Sequence, residues 1–226
     1  MEDMLAHELA AVPPALFHDD GSMRKTAKAT LAKKLESTVE EGTHLPDAAS
    51  PSAHIIDGMV MLQSLNDSLF QSFNDLGECV LRKILSLLNP KNVNCVTIVF
   101  DRYDNPQSIK CLERERQGNV TDRTTHHITG TGNVPNYRQY LQSCGNKAAL
   151  CLFVSDYVIG AAQTRLKDDD SIVLAGGFED GQEVRIVDHT GVCCVPDLYS
   201  TQEEADTRMT AFSPPLSKLQ HHHCEK

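Results

Sequence analysis

Several features that mark membrane, secreted and zinc-binding proteins are missing from this sequence. No apolar run is long enough to span a bilayer, and the N-terminus carries no apolar segment typical of a signal peptide. The eight cysteines include no CxxC pair, the spacing that commonly binds zinc. We therefore expect reduced, mostly buried thiols in a nuclear or cytoplasmic protein that is not secreted and does not bind membranes.

Positive charge is also scarce. The chain has 21 lysines and arginines against 31 aspartates and glutamates, a formal net charge of -10. This balance excludes general coating of nucleic acid, which needs a basic field, but it allows a local basic patch beside an acidic metal site. With 226 residues, 40% of them hydrophobic, the chain is long enough to form a real core.

The distribution of charge and proline predicts three regions. Residues 1–53 are interpreted as a basic arm and linker, with a basic helix near 22–35 that either lies solvated against the domain, as we favour, or contacts phosphates. Residues 54–212 are predicted to form the compact domain, and residues 213–226, which begin with a double proline, a disordered tail.

Strand and helix patterns alternate through the compact domain. Helical spacing of apolar residues predicts a helix over 67–88 capped by Asp67, a buried helix over 147–163, and a last helix opening at 201–208. Short β-branched runs predict strands at 54–57, 96–100, 171–175, 183–187 and 192–195. This alternation indicates an α/β fold with a mostly parallel central sheet.

Acidic residues follow the predicted strands at three places. Asp57 ends the first strand, Asp101 follows the second directly, and Glu203, Glu204 and Asp206 open the last helix. The carboxyl ends of parallel strands share one edge of a sheet, so these carboxylates would converge there. Converging carboxylates repel one another unless a hard cation neutralises them, which predicts Mg²⁺ or Mn²⁺ bound by oxygen ligands.

Each acid also has a structural interpretation. Asp57 can belong to a turn with the glycine that follows it. Glu204 forms a capping-box pattern with Thr201, and Glu203 forms one with Ser200. Glu203 and Asp206 would share a helix face, whereas Glu204 and Asp206 would not.

Basic residues follow Asp101 on a predicted helix capped by Ser108. Lys110 and Arg114 lie four apart and share a face, which suits contact with a phosphodiester. A solvated helix face, with Glu113 at pairing distance, is an equally good interpretation.

These residues resemble the flap endonuclease signature within the PIN-like nuclease superfamily. Val99-Phe100-Asp101 followed by Lys110 and Arg114 is similar to the strand and basic helix of that signature, and Ile56-Asp57-Gly58 is similar to its first metal-binding aspartate. Glu204-Ala205-Asp206 resembles the later Glu-Ala-Asp element, and the longer string from Glu203 to Arg208 is similar to one in uncharacterised, mobile-element-associated animal proteins.

The resemblance implies a three-layer α/β/α fold and metal-dependent hydrolysis of DNA or RNA, with DNA favoured. It assigns Asp57, Asp101, Glu204 and Asp206 to Mg²⁺ or Mn²⁺, and Lys110 and Arg114 to catalysis. Arg102 stands where the family has glycine, and no aspartate follows Asp206, although the family supplies a later Asp-x-Asp pair on a final strand. The sequence therefore predicts a nuclease-like domain with weak or absent activity.

Two other hypotheses stay open. One is a non-catalytic remnant of a mobile-element protein that binds nucleic acid or protein through the same scaffold. The other is a structural domain whose acids are caps and turns.

Overall fold

A computed structural model of the chain describes residues 52–88, 92–103 and 127–212, together with His18, Thr30, Lys33, Lys34, Ser37 and Thr38. The chain divides into two compact units, Met1–Asp47 and Ala48–Lys226. In the first unit Thr30, Lys33 and Lys34 are helical, within the predicted basic helix. The predicted tail at 213–226 lies outside the described residues.

The second unit is built on one mixed sheet of five strands in the spatial order β1-β2-β3-β4-β5. β1, β2 and β3 are parallel, whereas β4 pairs antiparallel with β3 and with β5. The five strands are β1 (Ser52–Asp57), β2 (Val93–Val99), β3 (Ser171–Ala175), β4 (Val184–Val187) and β5 (Val192–Cys194). The predicted α/β class is confirmed, and the sheet is mixed because β3, β4 and β5 are joined by loops too short for a crossover helix.

Five α-helices of the second unit are described. They are α1 (Gly58–Gln63), α2 (Phe73–Leu87), α3 (Tyr137–Tyr140), α4 (Cys144–Ala162) and α5 (Ala205–Met209). Alternate residues of a strand point to opposite faces of the sheet, and each face is covered by a hydrophobic cluster. The larger cluster joins Val96, Ile98 and Phe100 to α1, α2, α3 and α4, and the smaller one joins Cys95 and Val99 to Ala205 of α5.

The predicted start of the long helix before β2 is wrong. Asp67 opens a single 3₁₀ turn, Asp67–Leu69, and α2 begins only at Phe73. Its cap is Ser72, whose hydroxyl accepts from Asp75 N at 3.2 Å while Asp75 Oδ2 accepts from Ser72 N at 2.9 Å. This reciprocal capping box satisfies helix N–H groups that Asp67 lies too far away to reach.

Two consecutive glycines directly follow β3, in a conformation that other residues rarely adopt. Gly176 and Gly177 have φ angles of 76° and 74°. A Cβ atom on Gly177 would collide with Ser155 Oγ and would lie 2.9 Å from the Phe100 ring and 3.1 Å from Cys151 O. These glycines therefore let α4 and the end of β2 approach the end of β3 closely.

The cysteines are not uniform. Cys79, Cys95, Cys144, Cys151 and Cys194 are free thiols, whereas Cys193 is disulfide-bonded. The expectation of reduced thiols is therefore wrong for Cys193. Among the five free cysteines only Cys95 and Cys151 are buried, so the expectation of mostly buried thiols is also wrong.

Gly177→Ala should destabilise the domain by about 2 kcal/mol or more, since it adds backbone strain to a steric collision. Gly160→Ala is the matched control in α4, because a Cβ there meets no atom within 4 Å. The control should stabilise the helix by about 0.5–1 kcal/mol. Urea unfolding of both variants measures the difference, and equal unfolding midpoints would contradict this account of the close approach.

Asp75 makes the stability of α2 depend on pH. Hydrogen bonds from the backbone N–H and hydroxyl of Ser72, and from the N–H of Gln71, lower the pKa of this carboxyl below its ordinary value of 3.8. A lowered folded-state pKa means that the stabilisation is complete above the unfolded-state pKa and is lost as pH falls through the folded-state pKa.

The difference in unfolding free energy between wild type and Asp75→Asn should therefore be constant near neutral pH and shrink once the pH falls below 3.8. Ser72→Ala, which removes a donor to the same carboxylate, should show the same trend. Denaturant unfolding at a series of pH values measures it, and a difference that does not change with pH would refute the capping role.

Candidate functional site

The carboxyl ends of β1, β2 and β3 lie at one rim of the sheet because these strands are parallel. Asp57 is the last residue of β1 and pairs in register with Val99, the last residue of β2. Asp101 follows Val99 by two residues. The structure thus brings Asp57 and Asp101 to the same rim, at the ends of neighbouring strands, as the sequence predicts.

Asp57 serves as the N-cap of α1. Its Oδ1 atom accepts hydrogen bonds from Met59 N at 2.7 Å and Val60 N at 3.0 Å. A carboxylate at this position satisfies N–H groups that have no partner inside the helix and complements the positive end of its dipole. One carboxylate oxygen of this predicted metal ligand, Oδ1, therefore already caps a helix.

Asp101 performs a similar role for a helix far away in the sequence. Its Oδ1 atom accepts from Ala205 N, the first residue of α5, at 2.8 Å. The local capping boxes that the sequence offered are not formed, because Glu204 occupies the N-cap position without a side-chain capping bond and Ser200 Oγ accepts from Gln202 N instead. The helix is capped from β2.

Three more hydrogen bonds fasten the start of α5 to the end of β2. Arg102 N donates to Glu203 O at 2.9 Å, and the Arg102 guanidinium donates to Thr201 O at 3.1 Å. The guanidinium of Arg208, which is only 1% exposed, donates to Phe100 O at 2.8 Å. We call these bonds and the Asp101–Ala205 bond the rim clamp.

The rim clamp positions the remaining two predicted acids. Glu204 is half-buried at the N-cap of α5, and Asp206 is exposed in its first turn. α5 contacts both β1 and β2, so all four acids belong to elements that meet at this rim. Within residues 52–88, 92–103 and 127–212, however, no three acidic, histidine or cysteine side chains are arranged to hold a metal ion.

The chemistry of the four acids still suits a hard cation. Oxygen ligands are those that Mg²⁺ and Mn²⁺ prefer, and an ionised carboxylate offers more acceptor sites than one cap uses. Among the described residues, none donates a hydrogen bond to Oδ2 of Asp57 or of Asp101. A cation site would need these free oxygens to turn toward one another.

A groove of about 240 Å³ opens beside Asp101. It lies between the first turns of α4 and the turn after β3, and its ionisable lining groups include Asp101, Arg102 and Glu179. The other lining residues are Tyr103, Ala148, Ala149, Cys151, Leu152, Gly177, Phe178 and Gly181. A larger cleft of about 540 Å³ lies between α1 and α3 and contains none of the predicted site residues, so the groove is the better candidate.

Charged groups around this groove act on the pKa of the buried Cys151 thiol. Burial raises its pKa, the carboxylates of Asp101 and Asp57 raise the pKa further, and the ammonium group of Lys147 lowers it. Two acids of the rim and one lysine of α4 thus act on the same buried atom.

The predicted catalytic residues Lys110 and Arg114 lie outside the described residues. Sequence reasoning missed Arg208. Arg208 resembled an ordinary cation in the last turn of a helix, and no local pattern signalled its burial.

Comparisons with known proteins leave the family assignment a prediction: no protein-family model, no curated protein and no solved structure matches this chain. Among the described helices, none is both long enough and apolar enough to cross a bilayer.

Asp101→Ala should destabilise the domain by about 1–2 kcal/mol, because it removes the acceptor for a helix N–H group. Asp101→Asn should unfold close to wild type, since its amide oxygen can accept the same bond from Ala205 N. Urea unfolding separates the variants, and equal stability of Asp101→Ala and wild type would show that the bond contributes nothing.

Proposed function

We propose that the second unit is a PIN-like, flap-endonuclease-like domain that acts on nucleic-acid phosphodiesters with Mg²⁺ or Mn²⁺. The observation that carries this proposal is the meeting of Asp57, Asp101 and the start of α5 at one rim of a parallel β1-β2-β3 arrangement. The hydrophobic clusters on both faces of the sheet support the three-layer α/β/α arrangement that such a domain requires.

In this proposal Asp57, Asp101, Glu204 and Asp206 hold the cation. A bound Mg²⁺ or Mn²⁺ would supply Lewis-acid polarisation of the phosphoryl oxygen and a more acidic water. Asp57 and Asp101 would use their Oδ2 atoms, while Oδ1 keeps each carboxylate oriented through its cap. Lys110 and Arg114 are proposed, from the sequence alone, to steady the phosphate and its developing charge.

The expected activity is weak or absent. Both strand-end carboxylates already accept hydrogen bonds from helix N–H groups, which occupy lone pairs that a cation would need. Asp206 is exposed to water, so its attraction to a bound cation is not strengthened by a dry, preorganised site.

A second candidate, a non-catalytic domain that binds nucleic acid or protein, is favoured by the same caps. Asp57 and Asp101 each have a sufficient structural reason to occupy the rim, and no metal-binding cluster is found in the described part of the chain. Binding through Lys110 and Arg114 would then need no divalent cation.

The decisive experiment is cleavage of single-stranded and branched DNA with Mn²⁺ by wild type, Asp101→Asn and Asp169→Asn. Asp101→Asn removes a ligand charge and retains the cap, so lost activity cannot be attributed to unfolding. Asp169 is an exposed acid in the loop before β3 and serves as the matched control. We expect at least tenfold slower cleavage by Asp101→Asn and no change in Asp169→Asn.

Equal cleavage by Asp101→Asn and wild type would remove the catalytic proposal. If wild type does not cleave, binding of the same DNA in chelator decides for the second candidate. That binding should weaken when Lys110 and Arg114 are both changed to glutamate.

A further inference from the structure

The larger cleft, of about 540 Å³, lies between α1 and α3. Its apolar lining consists of two leucines and the ring of Tyr137, and the rest of its lining is polar. The leucines are Leu65 and Leu141, and the polar residues are Gln63, Asn66, Asp67, Arg138 and Gln142. None of the acids assigned to the rim is among them. The cleft is therefore a second surface feature, separate from the proposed cation site.

Contacts within the protein hold the walls of this cleft in place. The Tyr137 hydroxyl donates to Leu62 O at 3.0 Å, and the Tyr137 ring packs edge-on against Phe70 with the ring centroids 5.1 Å apart. These contacts join α3 to residues on both sides of the segment 63–69, which supplies three more lining residues. A cleft that is already formed limits the entropy lost when a partner binds.

Two large hydrophobic side chains beside the cleft are exposed to water. Leu69 is 65% exposed and Val60 is 60% exposed, more than any other large hydrophobic residue in the described part of the chain. Leu69 belongs to the same 3₁₀ turn as Asp67, and Val60 lies three residues before Gln63 on α1, so these two share a helix face. Exposed apolar residues bordered by polar ones are typical of a protein interaction site.

The cleft also carries one acid and one base. Asp67 and Arg138 both line it, and both are exposed. Neither forms an ion pair with any residue that the structure describes. In a two-fold symmetric dimer a residue i that meets j is matched by j meeting i, so one acid and one base on the same surface are complementary to a second copy of that surface.

We propose that Val60, Leu69 and the cleft form the interface of a symmetric dimer of this chain. Leu69 of each copy enters the cleft of the other, and Asp67 of each copy pairs with Arg138 of the other. The net charge of -10 opposes unspecific association of two copies, so the dimer depends on these specific contacts. It does not depend on the nuclease-like function, because the cleft contains none of the assigned acids.

Sedimentation velocity of the full chain over a series of concentrations tests the dimer with two charge reversals. Arg138→Asp and Asp67→Arg each turn both intermolecular ion pairs into contacts between like charges. Each variant alone should therefore self-associate about tenfold or more weakly than wild type. An equimolar mixture of the two variants should dimerise as well as wild type, because every acid of the mixed dimer again faces a base.

Lys167→Asp and Asp169→Arg are the matched controls. They make the same two charge changes at exposed residues before β3, and each should self-associate like wild type. Leu69→Ser, which removes the apolar side chain and changes no charge, should weaken the dimer by about tenfold. Treatment with iodoacetamide beforehand blocks exposed thiols such as Cys194 and so excludes dimers formed by a new disulfide.

A wild type that remains monomeric at every concentration would overturn this inference. Equal weakening by Arg138→Asp and Lys167→Asp would also overturn it, because net charge would then explain both results. A mixture that dimerises no better than its two components would rule out the reciprocal pairing, whereas recovery in the mixture shows that both variants fold. None of these outcomes alters the cleavage test of Asp101→Asn, so the dimer and the proposed function stand or fall separately.

Discussion

The hydrogen bond from Ala205 N to Asp101 Oδ1 is the contact on which the acidic rim depends. It joins the end of the central parallel strand to the start of α5 across 104 residues of sequence. The arginine bonds on either side, from Arg102 and Arg208, fix the same two segments. Together with the smaller hydrophobic cluster around Ala205, these bonds hold Glu204 and Asp206 near the strand ends.

Asp57 and Asp101 each use one carboxylate oxygen as a helix cap. A cap orients a carboxylate and preserves its negative charge, and both conditions suit a cation ligand. The same hydrogen bonds compete for the lone pairs that a cation would need. The balance between these effects decides whether the proposed cation site can form at this rim.

Much of the fold could be predicted from local patterns. The β-branched run at 96–100 and the apolar run at 171–175 locate β2 and β3, and helical spacing identifies the buried face of α2, including Leu76, Val80 and Ile84. The antiparallel pairing of β4 with β3 and with β5 was not predicted, because the alternation of strands and helices indicated a mostly parallel sheet. Parallel pairing then made the shared rim of Asp57 and Asp101 a consequence of topology.

The tertiary contacts could not be predicted in this way. The sequence near Glu204 contains two good capping-box patterns, and neither forms. Asp101, which follows β2, caps the helix in their place. Similarly, Arg208 is buried because its guanidinium donates to the carbonyl of Phe100, just after β2. Gly176 has no side chain to occupy the space that this guanidinium fills. Such contacts depend on side chains distant in sequence, which a reading of neighbouring residues does not detect.

The rim clamp also sets the order in which the acidic edge can be assembled during synthesis. The strands that carry Asp57 and Asp101 emerge from the ribosome long before residues 201–208, so the nascent chain holds Asp101 without its helix partner until nearly the whole unit has been translated. An acidic edge of this design becomes complete only when its last helix docks. Any ribosome-bound fragment that ends before α5 therefore lacks it.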